Sequence, residues 1–159
     1  MYKRILVALE HSSYDAAIIE HVRKLAHFSG ASVVLIHVAD GWAARNVNQL
    51  NLRESEEMRM DREYLERTCE SLIADHIDAE PLLAGGDPGK EIAAAAAREG
   101  CDLIAMSTHG HRFIKDLLYG SVANDVRHRS RVPVLLVRGG SGEMRAVPEA
   151  DQREKEATS

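Results

Sequence analysis

The chain has 159 residues, of which 45% are hydrophobic, 28% charged and only 4% aromatic, with a net charge of −5. That length supports one domain with an aliphatic core and excludes two ordinary ones, while the acidic balance excludes a dedicated nucleic-acid binder, which needs a basic face. Cys69 and Cys101 stand far apart with no Cys-x-x-Cys pair, which excludes a zinc ribbon or disulfide framework and points to a reducing, cytoplasmic compartment.

The basic start Met1-Tyr2-Lys3-Arg4 precedes an apolar run that stops at Leu9, before Glu10, so no secretory signal is expected. The longest apolar run elsewhere, Ile92 to Ala97, falls far short of the about 20 residues that cross a bilayer, and no membrane span is expected. Ile5-Leu6-Val7-Ala8-Leu9 is continuously apolar, the pattern of a strand buried on both faces in a parallel sheet. Ser12 or Ser13 is positioned to cap a helix in which Ala16, Ala17, Ile19, Val22, Leu25 and Ala26 recur until Gly30 stops it. Ser32 to Val38 reads as the second strand. The polar stretch from Ala39 to Arg53 has no sustained period and reads as a mobile loop.

A long amphipathic helix is predicted from about Glu54 to His76, with Met58, Leu65, Cys69, Leu72 and Ile73 as its inward stripe. Ala79 to Leu83 is a short third strand. Asp87 and Pro88 then open a helix as N-cap and first residue, and Gly100 ends it. Leu103 to Met106 is the fourth strand, Gly120-Ser121 starts the last helix, and Pro133 to Val137 is a fifth strand whose proline suits a sheet edge. The basic run Arg127 to Arg131 falls where that last helix ends and complements its dipole. From Gly139 the chain turns glycine-rich and then polar, and 139–159 reads as a flexible, disordered tail after a domain spanning 1–138. Strands alternating with helices in this order predict a doubly wound α/β sandwich.

Ligands of such sheets sit beyond the carboxyl ends of the strands, where strand order reverses. Ser107-Thr108-His109-Gly110 follows the fourth strand, nine residues (His111 to Tyr119) intervene, and Gly120-Ser121 opens a helix. Backbone N–H groups of a glycine loop and a helix N-terminus form an anion cradle, so a mononucleotide fits with phosphates on Gly110, Gly120 and Ser121 and its base near Ala8 and Val38. Lys115 and Arg112 lie in that loop, within reach of phosphates or of solvent. His11, His37 and His109 come without a His-x-x-x-His or His/Cys cluster, and hydrogen bonding in core or loop explains them better than metal ligation. No Gly-x-Ser-x-Gly elbow and no Walker loop is present.

The run from Ser107 to Ala123 resembles the nucleotide-binding signature of the universal stress protein family, Gly-x-x-Gly, nine residues, Gly-Ser/Thr. Lys3 to Ala8, Leu35 to Val38, Gly86-Asp87-Pro88 through Ile92, and Pro133 to Val137 resemble further segments of that family, so the likeness covers Tyr2 to about Arg138. It implies a five-stranded parallel sheet in the order 3-2-1-4-5, adenine nucleotide alpha hydrolase-like, with helices on both faces. It also implies ATP binding without robust turnover, and homodimers paired through strand 133–137.

Carried over, the contacts would come from Ala8, Glu10 and Val38, with Ser107, Thr108, His109, Gly110, His111, Arg112, Phe113, Gly120, Ser121, Val122 and Ala123 on the ribose and phosphates. Ser107 stands where the signature has its first glycine, Ala8 where a proline is usual, and Glu10 where an aspartate is usual. The Ser107 hydroxyl is able to donate to a ligand oxygen, and the Glu10 carboxylate to help hold Mg2+ or Mn2+ beside a triphosphate. The function expected is an ATP-binding regulatory module of the stress response that a protein partner reads. A nucleotide-free dimeric scaffold and a slow ATP-hydrolysing enzyme are the alternatives.

Overall fold

In the computed structural model, residues 1–39, 56–109 and 117–139 are described. Five strands, β1 (Arg4–Ala8), β2 (Ser32–Ala39), β3 (Ala79–Gly85), β4 (Leu103–His109) and β5 (Val134–Gly139), pair in parallel in the order β3-β2-β1-β4-β5. The helices between them are α1 (Asp15–Ser29), α2 (Glu56–Ala74), α3 (Pro88–Arg98) and α4 (Leu117–Arg129). The predicted sandwich and strand order are both present.

The chain builds outward from β1 in one direction through β2 to β3, then crosses back to β4 and β5. Right-handed crossovers then require helices on opposite faces for the two halves. Ile18, Val22 and Ala26 of α1 and Leu65, Cys69 and Leu72 of α2 pack on one face with Ile5 and Val7. Ile92, Ala95 and Ala96 of α3 and Val126 of α4 pack on the other with Leu6, Val34 and Ile104. Ile5, Leu6 and Val7 are each 0% exposed, so β1 is covered on both sides, as its unbroken apolar run requires. Aliphatic side chains buried this completely contribute about 1.5–3 kcal/mol each.

Several boundaries differ from the sequence-based expectation. β4 runs on to His109, because Ser107, Thr108 and His109 pair with Val137, Arg138 and Gly139 of β5; these residues are therefore strand and not loop. Gly139, expected in the linker, is the last residue of β5. A Cβ there would come within 2.9 Å of the Tyr14 ring, so this strand end and α1 pack at glycine distance. β5 begins at Val134, with Pro133 just before it, and is an edge of the sheet as expected.

α4 starts at Leu117, which places Gly120 and Ser121 one turn inside the helix and not at its first residue. Ile73 is 53% exposed, because it lies about 100° round the helix from Leu72; the buried stripe of α2 is Asp61, Leu65, Cys69 and Leu72, and Met58 is half-buried. The expected loop after Ala39, the first residues of the predicted second helix, the loop 110–116 and the tail 140–159 lie outside the described residues.

Neither Ser12 nor Ser13 caps α1. Its N-cap is Tyr14, and the loop is held by Asp15, 1% exposed, the first residue of the helix. Gly30, in the left-handed conformation at φ 70°, ends α1 by donating its N–H to Ala26 O, as expected. Asp87 caps α3 by accepting from Lys90 N at 2.9 Å, and Pro88 occupies the first turn, also as expected.

Candidate nucleotide site

At the carboxyl ends of β1, β2 and β4, on the face covered by α3 and α4, a cleft of about 330 Å³ opens. It lies where strand order reverses, between β1 and β4. Ala8, Ile36, Val38 and Met106 supply an apolar floor. Pro88 and Ile92 of α3 form one wall with Asp87, while Ser121 and Val122 of α4 form the opposite one. Leu9, Glu10, His37 and Ser107 complete the lining at the strand ends.

Six of the sequence-derived residues therefore meet at one cleft: Ala8, Glu10, Val38, Ser107, Ser121 and Val122. Ala123 packs instead on the core below it, and Thr108 lies half-buried in β4. Gly120 is exposed in α4, one turn in from the start of the helix at Leu117. His109 is the last residue of β4; Gly110, His111, Arg112 and Phe113 lie outside the described residues. Leu9, Ile36, His37, Asp87, Pro88, Ile92 and Met106 were missed as lining residues. Strand alternation carried a signal for Ile36 and Met106, since they share a face with Ala8 and Val38.

Ser107 places its side chain on the face of β4 opposite to that of Met106. It shares the face of Ala105, which packs with α1, and its Oγ lies 3.4 Å from where a Cβ on Gly139 would stand. That oxygen is sealed from solvent and has no hydrogen-bond partner among the described residues.

The loop that carries Glu10 is built by Asp15. Its carboxylate accepts from the backbone N–H groups of Glu10 at 3.0 Å, His11 at 2.8 Å and Ser12 at 3.2 Å, and from the Tyr64 hydroxyl at 2.7 Å. Burial first, and then the bond to Asp15, push the Tyr64 phenol well above its ordinary pKa. Ser12 Oγ donates to the Glu10 carboxylate at 3.3 Å, which directs that side chain. His11 follows at φ 60°, its ring stacked on Tyr64 with centroids 4.2 Å apart.

Beside this loop, Asp61 of α2 joins both histidines. His11 Nδ1 lies 2.6 Å from one carboxylate oxygen and His37 Nε2 lies 3.3 Å from the other, while His37 Nδ1 faces Leu9 O at 2.9 Å. The hydrogen-bonding role expected for His11 and His37 is what the structure shows. Among the described residues, no group of three or more His, Cys, Asp or Glu is placed to hold a metal ion, and no helix is long and apolar enough to cross a membrane.

Residues 1–138, which contain every element just described except the last residue of β5, match the universal stress protein family. The chain belongs to that family. Universal stress protein MJ0577 of Methanocaldococcus jannaschii is 28% identical to it over 158 residues, covering 87% of this chain and 96% of that protein. The solved structure of MJ0577 superposes with a TM-score of 0.73, covering 89% of this chain and 99% of the other. Similar in fold are the universal stress protein of Archaeoglobus fulgidus in complex with dAMP, 19% identical with a TM-score of 0.64, and a universal stress protein in complex with cAMP, 20% identical with a TM-score of 0.63. These two cover 86% and 87% of this universal stress protein and 98% of each neighbour.

Proposed function

We propose that this universal stress protein binds ATP in the cleft over β1, β2 and β4 and acts as a nucleotide-dependent regulatory module of the stress response, without robust turnover. The observation that carries the reading is the make-up of that cleft: an aliphatic floor for a purine ring, with the first turns of α4 at one side. Its volume of about 330 Å³ falls within the range of roughly 300–1,000 Å³ typical of small-molecule sites. Family membership and two neighbours of the same fold in complex with dAMP and cAMP support it.

In this reading the base lies over Ala8 and Val38. The ribose and phosphates run toward Ser107 to Phe113, with Gly120, Ser121, Val122 and Ala123 at the anion end. The free N–H groups of a helix's first turn suit phosphate oxygens. Glu10, a hard oxygen donor at the rim, is suited to hold Mg2+ or Mn2+ alongside the triphosphate. β5 is an edge strand and Leu136 on it is 51% exposed, which supports a homodimer formed through strand 133–137 and read by a protein partner in the cytoplasm.

The test is mass spectrometry of nucleotide released on denaturing the purified protein, with calorimetry of added ATP and magnesium. Bound adenine nucleotide or saturable ATP binding supports the proposal, and absence of both overturns it in favour of a nucleotide-free scaffold. Multiple-turnover ATP cleavage that disappears on Gly120→Val would overturn the non-enzymatic part.

A further inference from the structure

The two ends of the cleft are chemically unlike. At the α4 end stand Ser121 and a helix N-terminus, which attract anions; at the α3 end stands the carboxylate of Asp87 beside Pro88 and Ile92. A phosphate chain is repelled at the Asp87 end, so a nucleotide in this cleft lies with its phosphates toward α4 and its base toward α3. Asp87 Oδ1 is engaged by Lys90 N at 2.9 Å, while Oδ2 has no partner among the described residues. An acceptor without hydrogen of its own, held at the edge of an apolar slot, pairs with a donor on the ring.

We infer that Asp87 is a specificity-determining residue, whose second carboxylate oxygen accepts a hydrogen bond from the exocyclic amino group of the base. The inference rests on the nucleotide reading above and deepens it. The N-cap bond is what gives it precision. With one oxygen tied to Lys90 N, the rotation of the carboxylate is restricted and its side chain is kept on the lining of the cleft. Ile36, Val38, Pro88 and Ile92 on the same lining are apolar, and such side chains grip any planar ring without distinguishing one purine from another.

The experiment compares the affinities of ATP, purine riboside triphosphate and inosine triphosphate for the wild type and for Asp87→Asn, by calorimetry with magnesium. Purine riboside triphosphate lacks the amino group and is expected to bind the wild type about tenfold more weakly than ATP, the loss of one hydrogen bond to a charged acceptor. Asparagine caps helices as well as aspartate does, so α3 is retained. Its amide nitrogen then faces the slot as a donor, which opposes the amino group of ATP and welcomes the 6-oxo group of inosine triphosphate.

The ratio of ATP to inosine triphosphate affinity is therefore expected to fall at least tenfold in Asp87→Asn. An unchanged ratio, or equal wild-type affinity for ATP and purine riboside triphosphate, overturns the inference while leaving the nucleotide proposal standing. A wild type that binds none of the three overturns the nucleotide proposal itself. Thermal unfolding of Asp87→Asn within a degree or two of wild type confirms that the comparison is between folded proteins.

Discussion

Gly120→Ala separates what the fold needs from what a ligand needs. Gly120 lies within α4, and a Cβ built on it meets none of the described residues within 4 Å. Packing among the described residues therefore makes no use of a glycine there, and helix propensity disfavours one by about 0.5–1 kcal/mol relative to alanine. The ligand-free variant is expected to be more stable by about that amount, a rise in melting temperature of roughly 1–4 °C for a chain of this size. ATP is expected to bind it at least about tenfold more weakly, because the added methyl stands where phosphate oxygens approach the backbone. Differential scanning calorimetry without nucleotide, and again across a series of ATP concentrations, reads both effects on one sample. A variant that is more stable and binds ATP as tightly as wild type would refute the assignment of Gly120 to the site. A variant destabilised without ligand would refute the packing argument.

Asp15→Asn is expected to cost about 3–5 kcal/mol in urea unfolding, since one accepting oxygen is replaced by an amide donor facing a backbone N–H, and the remaining bonds lose charge assistance; a loss below about 1 kcal/mol would contradict its role as organiser of the Glu10 loop. Ser107→Ala removes an unpaired buried hydroxyl, so stability is expected to be unchanged or up to about 1 kcal/mol higher, with ATP affinity within about twofold of wild type; a large affinity loss would place the hydroxyl on the ligand after all. Alkaline unfolding follows from Cys69 and Tyr64. Burial, with Glu80, Glu66 and Glu70 adding to it, pushes the Cys69 thiol from 9.0 up to about 11, and Tyr64 is raised as well. Both groups keep their protons longer folded than unfolded, so stability is fully present below about pH 9 and is lost progressively as pH rises toward 11. Urea midpoints measured from pH 7 to 11 check this, and a flat profile contradicts it.

The fold was legible because its signals are local and repeated: unbroken apolar strands, helices bounded by Asp87-Pro88 and by Gly30, and strict alternation between them. The positions that escaped sequence reading depend on contacts made across the chain. Nothing local marks Asp15 as the partner of three backbone donors and of Tyr64, a residue of the next helix. Asp61 resembles any charged residue of an amphipathic helix until β2 and the β1–α1 loop deliver His37 and His11 to it. Ser107 illustrates the limit from the other side. A motif marks the position, while the direction of its hydroxyl is set by the pairing of β4 with β5 and by the close approach of α1 at Gly139. Asp87 was recognised as a cap, and its place on the cleft lining emerges only when the start of α3 is seen to lie there.

The central claim is that the cleft over β1, β2 and β4 holds an adenine nucleotide. Mass spectrometry of the nucleotide released by denaturing the purified protein, paired with calorimetric titration of ATP and magnesium into nucleotide-stripped protein, tests it most directly. The account predicts adenine nucleotide in the released fraction or saturable binding of about one ATP per chain, weakened by Gly120→Ala. No released nucleotide together with no heat of binding would contradict it.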